Sequence, residues 1–196
     1  MSVPKRLVVG LSGASGMPYA LDLLQTLRRV GGLEVHLVMS QGAKRVLAEE
    51  AGLGLEAVEA LAHVVHRSSD LGAPIASGSF RTLGMVIVPC SATTLAKVAY
   101  GLADNLLTRA AYVTLKERRP LVLVPREAPL PLPSLEAMVK ATLAGATILP
   151  AAPGFYHKPQ TIEDLLAFMT QRILDLLGLE YSRAPRWGEL RELELD

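Results

Sequence analysis

Cysteine is nearly absent from this chain: Cys90 stands alone among 196 residues. A lone cysteine cannot close a disulfide within the chain, so the core must hold the fold, and a reducing cytoplasm is the expected compartment. Charge is also sparse, at 20% of residues, and nearly balanced, with a formal net charge of +1. That balance argues against general binding to nucleic acid or to a membrane surface. No basic–apolar–small leader pattern follows Met1, and no apolar run approaches the ~18 residues that a membrane-crossing helix needs. His36, His63, His66 and His157 show none of the close spacings that bind a metal, and no second cysteine can assist them. No catalytic metal is expected. Internal repeats and low-complexity linkers are missing as well.

Hydrophobic residues are plentiful instead, at 50% of the chain. That suits one compact domain around a heavily buried sheet. Strand-like apolar runs cover residues 6–11, 34–39, 85–89, 121–125 and 147–150. Helical periodicity covers 18–30, 41–51, 55–65, 92–100, 106–118, 132–144 and 162–177. This alternation predicts a central parallel sheet covered on both faces. The runs Val86-Ile87-Val88 and Leu121-Val122-Leu123-Val124 lack polar alternation, as centrally buried strands do. Segment 68–81, with Gly72, Pro74, Gly78 and Ser79, reads as loop, and segment 128–133, with three prolines, reads as extended. The tail after Gly178 is polar and is expected to lie across the surface or reach a neighbouring subunit.

In open parallel sheets, ligands sit outside the carboxyl ends of the strands. Five segments qualify: Gly10–Gly16, Ser40, Pro89–Thr94, Pro125–Glu127 and Pro150–Tyr156. The first, Gly10-Leu11-Ser12-Gly13-Ala14-Ser15-Gly16, joins a strand to a helix N-terminus. It offers backbone N–H groups, the helix dipole and the Ser12 and Ser15 hydroxyls to a phosphate-bearing ligand. Its spacing is G-x-x-G-x-x-G, not the G-x-G-x-x-G of dinucleotide enzymes. The second strand ends in Ser40, where such an enzyme places an acidic residue for the ribose. A ligand with one phosphate, such as a flavin mononucleotide, fits better; Ser40 can also cap the next helix. Three hydroxyls, on Ser91, Thr93 and Thr94, open another helix, more than capping alone needs. Cys90 has no evident base beside it and reads as a small buried residue. Arg126 and Glu127 place a cation and a carboxylate at a strand end. Tyr156 offers a hydroxyl and an aromatic face, and Arg109, Lys116, Arg118 and Arg119 make one helix basic.

These stretches resemble the UbiX family, the flavin prenyltransferases. The resemblance rests on Gly13–Gly16, Pro89–Leu95, Asp104–Ala110, the block from Lys116 to Pro129, Leu149–Tyr156 and Pro185–Gly188, with the loop Ile75–Phe80 also familiar. They follow in order along nearly the whole chain. The resemblance implies a single-domain Rossmann-like (flavodoxin-type) three-layer α/β sandwich, with residues 1–178 as the flavin-binding domain and 179–196 as a tail contacting the active site or a neighbour. It implies a dodecamer that joins the dimethylallyl group of dimethylallyl phosphate to N5 and C6 of reduced FMN, supplying prenylated FMN to a UbiD-type decarboxylase. FMN would contact Gly13, Ala14, Ser15, Ser40, Ser91, Ala92, Thr93, Thr94 and Arg126. The prenyl phosphate would contact Tyr156 and Arg172, with Arg109, Lys116 and Glu127 in reach and Trp187 near the prenyl group. Some phosphate ligands would come from a neighbouring subunit. Cations such as Arg109, Lys116 and Arg172 would stabilise the departing phosphate without a metal, an aromatic face would stabilise an allylic cation, Ser15 would help orient the flavin, and Glu127 or the phosphate would accept a proton. A related flavin-dependent cysteine decarboxylase would need a catalytic His and a Pro-x-Met-Asn motif, where this chain reads Val124-Pro125-Arg126-Glu127. A non-catalytic flavin carrier is the other alternative, which turnover would exclude.

Overall fold

In the computed structural model, which describes residues 5–188, the strands form one parallel sheet. They are β1 (Lys5–Leu11), β2 (Leu33–Met39), β3 (Val64–Arg67), β4 (Gly84–Cys90), β5 (Leu121–Pro125) and β6 (Thr147–Ile148), in the order β3-β2-β1-β4-β5-β6. The helices are α1 (Met17–Leu27), α2 (Gln41–Glu50), α3 (Leu55–Glu59), α4 (Ala92–Ala99), α5 (Leu106–Lys116), α6 (Leu132–Leu143) and α7 (Ile162–Leu176). The chain winds outward from β1 to β3, then returns to set β4 on the other side of β1. The topological switch point lies between β1 and β4, so a crevice opens there at the strands' carboxyl ends.

The layers follow from side-chain alternation along the strands. Leu7, Val9 and Leu11 of β1, with Val86 and Val88 of β4 and Val122 and Val124 of β5, face α1, α2 and α7. Val8, Met85, Ile87, Leu121 and Leu123 face α4, α5 and α6. Both sets are essentially solvent-free, which is why these strands read as continuous apolar runs. The helices carry their own start signals. Ser40, Ser91 and Asn105 accept from the backbone N–H three residues on, and Thr161 and Asp164 form a reciprocal capping box on α7.

One expected element is corrected. Helical spacing over 55–65 predicts one helix, but α3 stops at Glu59 and residues 64–67 form β3. The free edge of β2 decides this. Val64 and His66 pair with His36 and Val38, and His63 exchanges two hydrogen bonds with the Val35 backbone, N to O at 3.0 Å and Nδ1 from N at 3.1 Å. Pairing of β-branched residues along an open edge outweighs a weak helical pattern. Within loop 68–81, Pro74–Ala76 form a 3₁₀ turn. That loop is held by Arg109 Nε on Ala76 O (3.3 Å) and by Arg119 on Phe80 O (2.9 Å) and Gly78 O (2.6 Å).

Candidate functional site

The three glycines of the first turn do three different jobs. Gly10 lies inside β1, and a Cβ there would sit 2.4 Å from Leu107 Cδ1, so it is glycine to admit α5. Gly13 meets α2 backbone to backbone: its Cβ would lie 2.9 Å from Gly42 Cα. Gly16 ends the turn with φ +119°, left-handed backbone that an L side chain rarely adopts. Ser12 is fully buried. Its hydroxyl donates to Pro89 O (3.0 Å) and accepts from Ser91 N (2.7 Å), tying the β1 turn to the end of β4. Ser12 is thus a staple across the switch point and not a ligand hydroxyl.

The start of α1 is occupied by the protein itself. Glu50 Oε2 accepts from Gly16 N (2.8 Å) and Met17 N (3.0 Å). Partial burial pushes the Glu50 carboxyl up, but the Ser15 hydroxyl, those two amides and the nearby Arg126 charge outweigh it and hold it below the ordinary glutamate value. Two donors that the sequence leaves open to a ligand are therefore already paired. Arg126 closes the cluster, its Nε donating to Ser15 O at 3.1 Å.

An open anion position remains at the start of α4. Ser91 Oγ accepts from Thr94 N (3.3 Å) and donates to Thr94 Oγ1 (3.1 Å). The Ala92 and Thr93 amides have no residue behind them to accept within the helix, and the Thr93 side chain is exposed. Ser40 Oγ accepts from Ala43 N at 3.0 Å and caps α2. Gly13, Ala14, Ser15, Ser40, Ser91–Thr94 and Arg126 thus converge where β1, β2, β4 and β5 end. Glu127 follows Arg126, exposed to solvent. Cys90 is buried, which pushes its thiol up to about 12, so it is no nucleophile.

A second cluster stands apart. Tyr156, Phe168, Arg172, Asp175, Arg186 and Trp187 are among the residues lining a cavity of 390 Å³ beside α7. Tyr156 meets Trp187 edge-on with ring centroids 5.1 Å apart. No residue of the glycine turn lines this cavity. The basic helix divides as well. Arg109 is early in α5, two residues past the Leu107 that packs over Gly10, whereas Lys116 ends it and pairs with Glu117. Lys116 precedes β5 and Arg126 follows it, so some 17 Å of strand separates them, at ~3.3 Å per residue. One chain does not bring all the expected residues together. Among the described residues no three His, Cys, Asp or Glu side chains converge as a metal site would require.

The profile of the Flavoprotein family matches residues 1–174. The flavin prenyltransferase UbiX of Deinococcus radiodurans is 60% identical over 188 residues, covering 96% of both chains. This chain belongs to the UbiX flavin prenyltransferase family. Its fold matches AnUbiX, solved with FMN and dimethylallyl pyrophosphate, at TM-score 0.92 and 45% identity, over 94% of this chain and 98% of that one. It also matches a dodecameric FMN-dependent UbiX-like decarboxylase from Escherichia coli O157:H7 at TM-score 0.90 and 46% identity, over 93% and 98%. Within this UbiX chain, sequence reasoning misses Glu50, Asp175 and Arg186. Glu50 lies 34 residues from the amide it caps, and no local spacing connects them. Arg186 is visible beside Trp187 in the tail motif, but nothing local gives it a partner on α7.

Proposed function

We propose that the chain transfers the dimethylallyl group of dimethylallyl phosphate to reduced FMN, giving prenylated FMN for a UbiD-type decarboxylase. The observation that carries this reading is the arrangement at the switch point. One helix N-terminus is closed by Glu50, a second, on α4, is open, and Arg126 reaches from the end of β5 to the Ser15 carbonyl of the glycine turn. The fit to a flavin mononucleotide is physical: the Ala92 and Thr93 amides and the Thr93 hydroxyl suit a single phosphate, and the backbone-to-backbone contact of Gly13 with Gly42 fixes the position of the turn beside it. Gly13, Ala14, Ser15, Ser40, Ser91–Thr94 and Arg126 would hold it. Bound reduced FMN supplies the nucleophilic N5 and C6.

The chain's residues supply the rest. Arg172, Arg109 and Lys116 stabilise charge on the departing phosphate as its bond to the allylic carbon breaks, a role that needs no metal. The Tyr156 ring faces the allylic cation character, and Trp187 walls the prenyl group. Ser15 would orient the ring, and Glu127 would give a proton to the allylic double bond as its tertiary carbon bonds C6 and take back the proton released there, while the N5 proton leaves with the phosphate. Since Lys116 lies at the opposite end of β5 from Arg126 in its own chain, the site is completed by neighbouring copies. The dodecameric relative supports such an assembly. So does α6, where Leu132, Val139 and Leu143 are 67%, 61% and 83% exposed along one stripe that a second copy would cover. No helix among the described residues is long and apolar enough to cross a membrane; the cytoplasm is the proposed compartment. Residues 179–188 form the site's tail in this reading; 189–196 lie outside the described residues. Anaerobic incubation with reduced FMN and dimethylallyl phosphate is expected to yield a flavin heavier by one C5 prenyl unit. FMN binding without that product, while a known relative succeeds, would overturn the reading.

A further inference from the structure

Gln171 is a buried amide that the transfer chemistry does not use. It lies on α7 with 2% of its surface exposed and lines the cavity beside that helix. Burying an amide is costly unless both of its ends are paired, and both are. Its Oε1 accepts from Arg183 N (2.6 Å) and Ala184 N (3.3 Å), and its Nε2 donates to Asp175 Oδ1 (2.9 Å). The partners decide which way round the amide lies, because backbone N–H groups only donate and a carboxylate only accepts. Burial pushes the Asp175 carboxyl up, but the Arg186 and Gln171 hydrogen bonds and the charges of Arg186 and Arg172 outweigh it and keep it ionised at neutral pH. Near-isosteres of Gln171 each fail on one count: Glu lacks the donor, Met lacks both functions and Asn lacks the reach.

What this amide grips is the tail. Only Pro185 and Arg186 stand between Ala184 and Trp187. Proline fixes its own φ and restricts the residue before it to extended backbone. Few soft torsions therefore separate the gripped amides from the Trp187 ring, which meets Tyr156 edge-on at 5.1 Å. Trp187 is 77% exposed, so its own packing does little to hold it. Arg183 makes a second tie, from its guanidinium to the buried Asp22 on α1, which also accepts from Thr170 Oγ1 at 2.6 Å. That tie runs through a long side chain with many rotatable bonds. It anchors residue 183 without setting the direction of the backbone beyond it.

We propose that Gln171 is the positioning residue of the tail: its side-chain amide fixes residues 183–184 on α7 and so seats Trp187 against Tyr156 before the prenyl donor arrives. The inference rests on the transfer reaction proposed above for what Trp187 then walls. Its consequence is pre-organisation. A ring already in place does not have to be ordered when the donor binds, so the donor binds more tightly.

Trp187 is the chain's only tryptophan, so its emission reports on the tail alone. The test measures the anisotropy decay of that emission on the full-length protein and, separately, kcat and KM for dimethylallyl phosphate with reduced FMN. Gln171→Met keeps the volume and loses both hydrogen-bonding ends. It is expected to raise the amplitude of the local, nanosecond decay of Trp187 about twofold or more. KM should rise about two- to tenfold, the range for re-ordering one loose side chain on binding, with kcat falling less. FMN affinity, set at the other cluster, stays at the wild-type value. Gln171→Glu keeps the acceptor for the tail but sets a second carboxylate against Asp175, so it shows the same changes. Adding Asp175→Asn restores the pairing with donor and acceptor exchanged, and the double variant regains part of both readouts relative to Gln171→Glu. A side chain that merely fills space predicts a lower urea midpoint with Trp187 decay and KM unchanged. Wild-type decay or wild-type KM in folded Gln171→Met, or no recovery in the double variant, would overturn the proposal. Should Gln171→Met fail to fold, Gln171→Glu and the double variant decide. The anisotropy is read without turnover, so a wild-type protein that makes no prenylated flavin sinks the transfer reaction, while a loosened Trp187 in Gln171→Met leaves the positioning role standing.

Discussion

Removing the carboxylate of Glu50 tests the most unexpected feature of the flavin-side cluster. Glu50 satisfies two first-turn amides of α1, Gly16 N and Met17 N, at 2.8 and 3.0 Å. A side-chain acceptor at a helix start contributes about 1 kcal/mol, and a negative charge there adds roughly 0.3–1 kcal/mol through the dipole. Glu50→Ala is therefore expected to lose about 1.5–2 kcal/mol at neutral pH, a fall in Tm of roughly 3–8 °C for a chain of this size. Glu50→Gln keeps an acceptor oxygen and loses the charge, so about 0.5–1 kcal/mol is expected. The pH dependence has a definite sign. The folded carboxyl titrates below its unfolded value, so its contribution is complete above about pH 4.3 and is lost as pH falls through the folded value. The assay is urea unfolding of the wild type and both variants at one protein concentration, from neutral pH downward. The gap between wild type and Glu50→Gln should be constant near neutrality and shrink on acidification. A bare α1 N-terminus should also make Glu50→Ala gain more stability from sulfate than the wild type does. Equal urea midpoints at neutral pH, or a gap that widens with acid, would refute the capping argument.

Three further outcomes are expected. Gly13→Ala places a Cβ 2.9 Å from Gly42 Cα and 3.0 Å from Gly42 C. Since backbone must move, a loss of about 1–3 kcal/mol should accompany weaker FMN binding by fluorescence titration; wild-type affinity would show that the turn is not the flavin cradle. Cys90, buried and with its thiol pushed up to about 12, should resist maleimide in the native protein and react only after denaturation, and rapid native labelling would contradict that. Lys116→Ala and Arg126→Ala should each abolish most turnover alone, yet co-expressed as mixed oligomers they should regain part of it, as the proposed completion of one copy's site by another copy's Lys116 requires. No recovery in mixed oligomers confirmed by mass spectrometry would place both residues in one subunit's site.

Much of this protein follows from local chemistry. The buried runs at 86–88 and 121–124 could only be central strands, since no solvent-facing residue interrupts them. Ser40 and Ser91 announced their helices because a short side-chain oxygen before an apolar repeat caps whatever helix follows. Gly16 marked a turn that only glycine adopts easily. What the sequence could not disclose were the pairings set by the order of strands. Residues 64–67 are a strand because β2 had an edge to offer. Gly10 is glycine because Leu107 lies across it, and Ser12 is a staple because Pro89, 77 residues on, ends the neighbouring strand. Glu50 closes α1, and Asp175 gathers two arginines from a helix and a tail. In each case the partners are held together by the sheet and its covering helices, and only the closed crossover brings them within hydrogen-bonding distance.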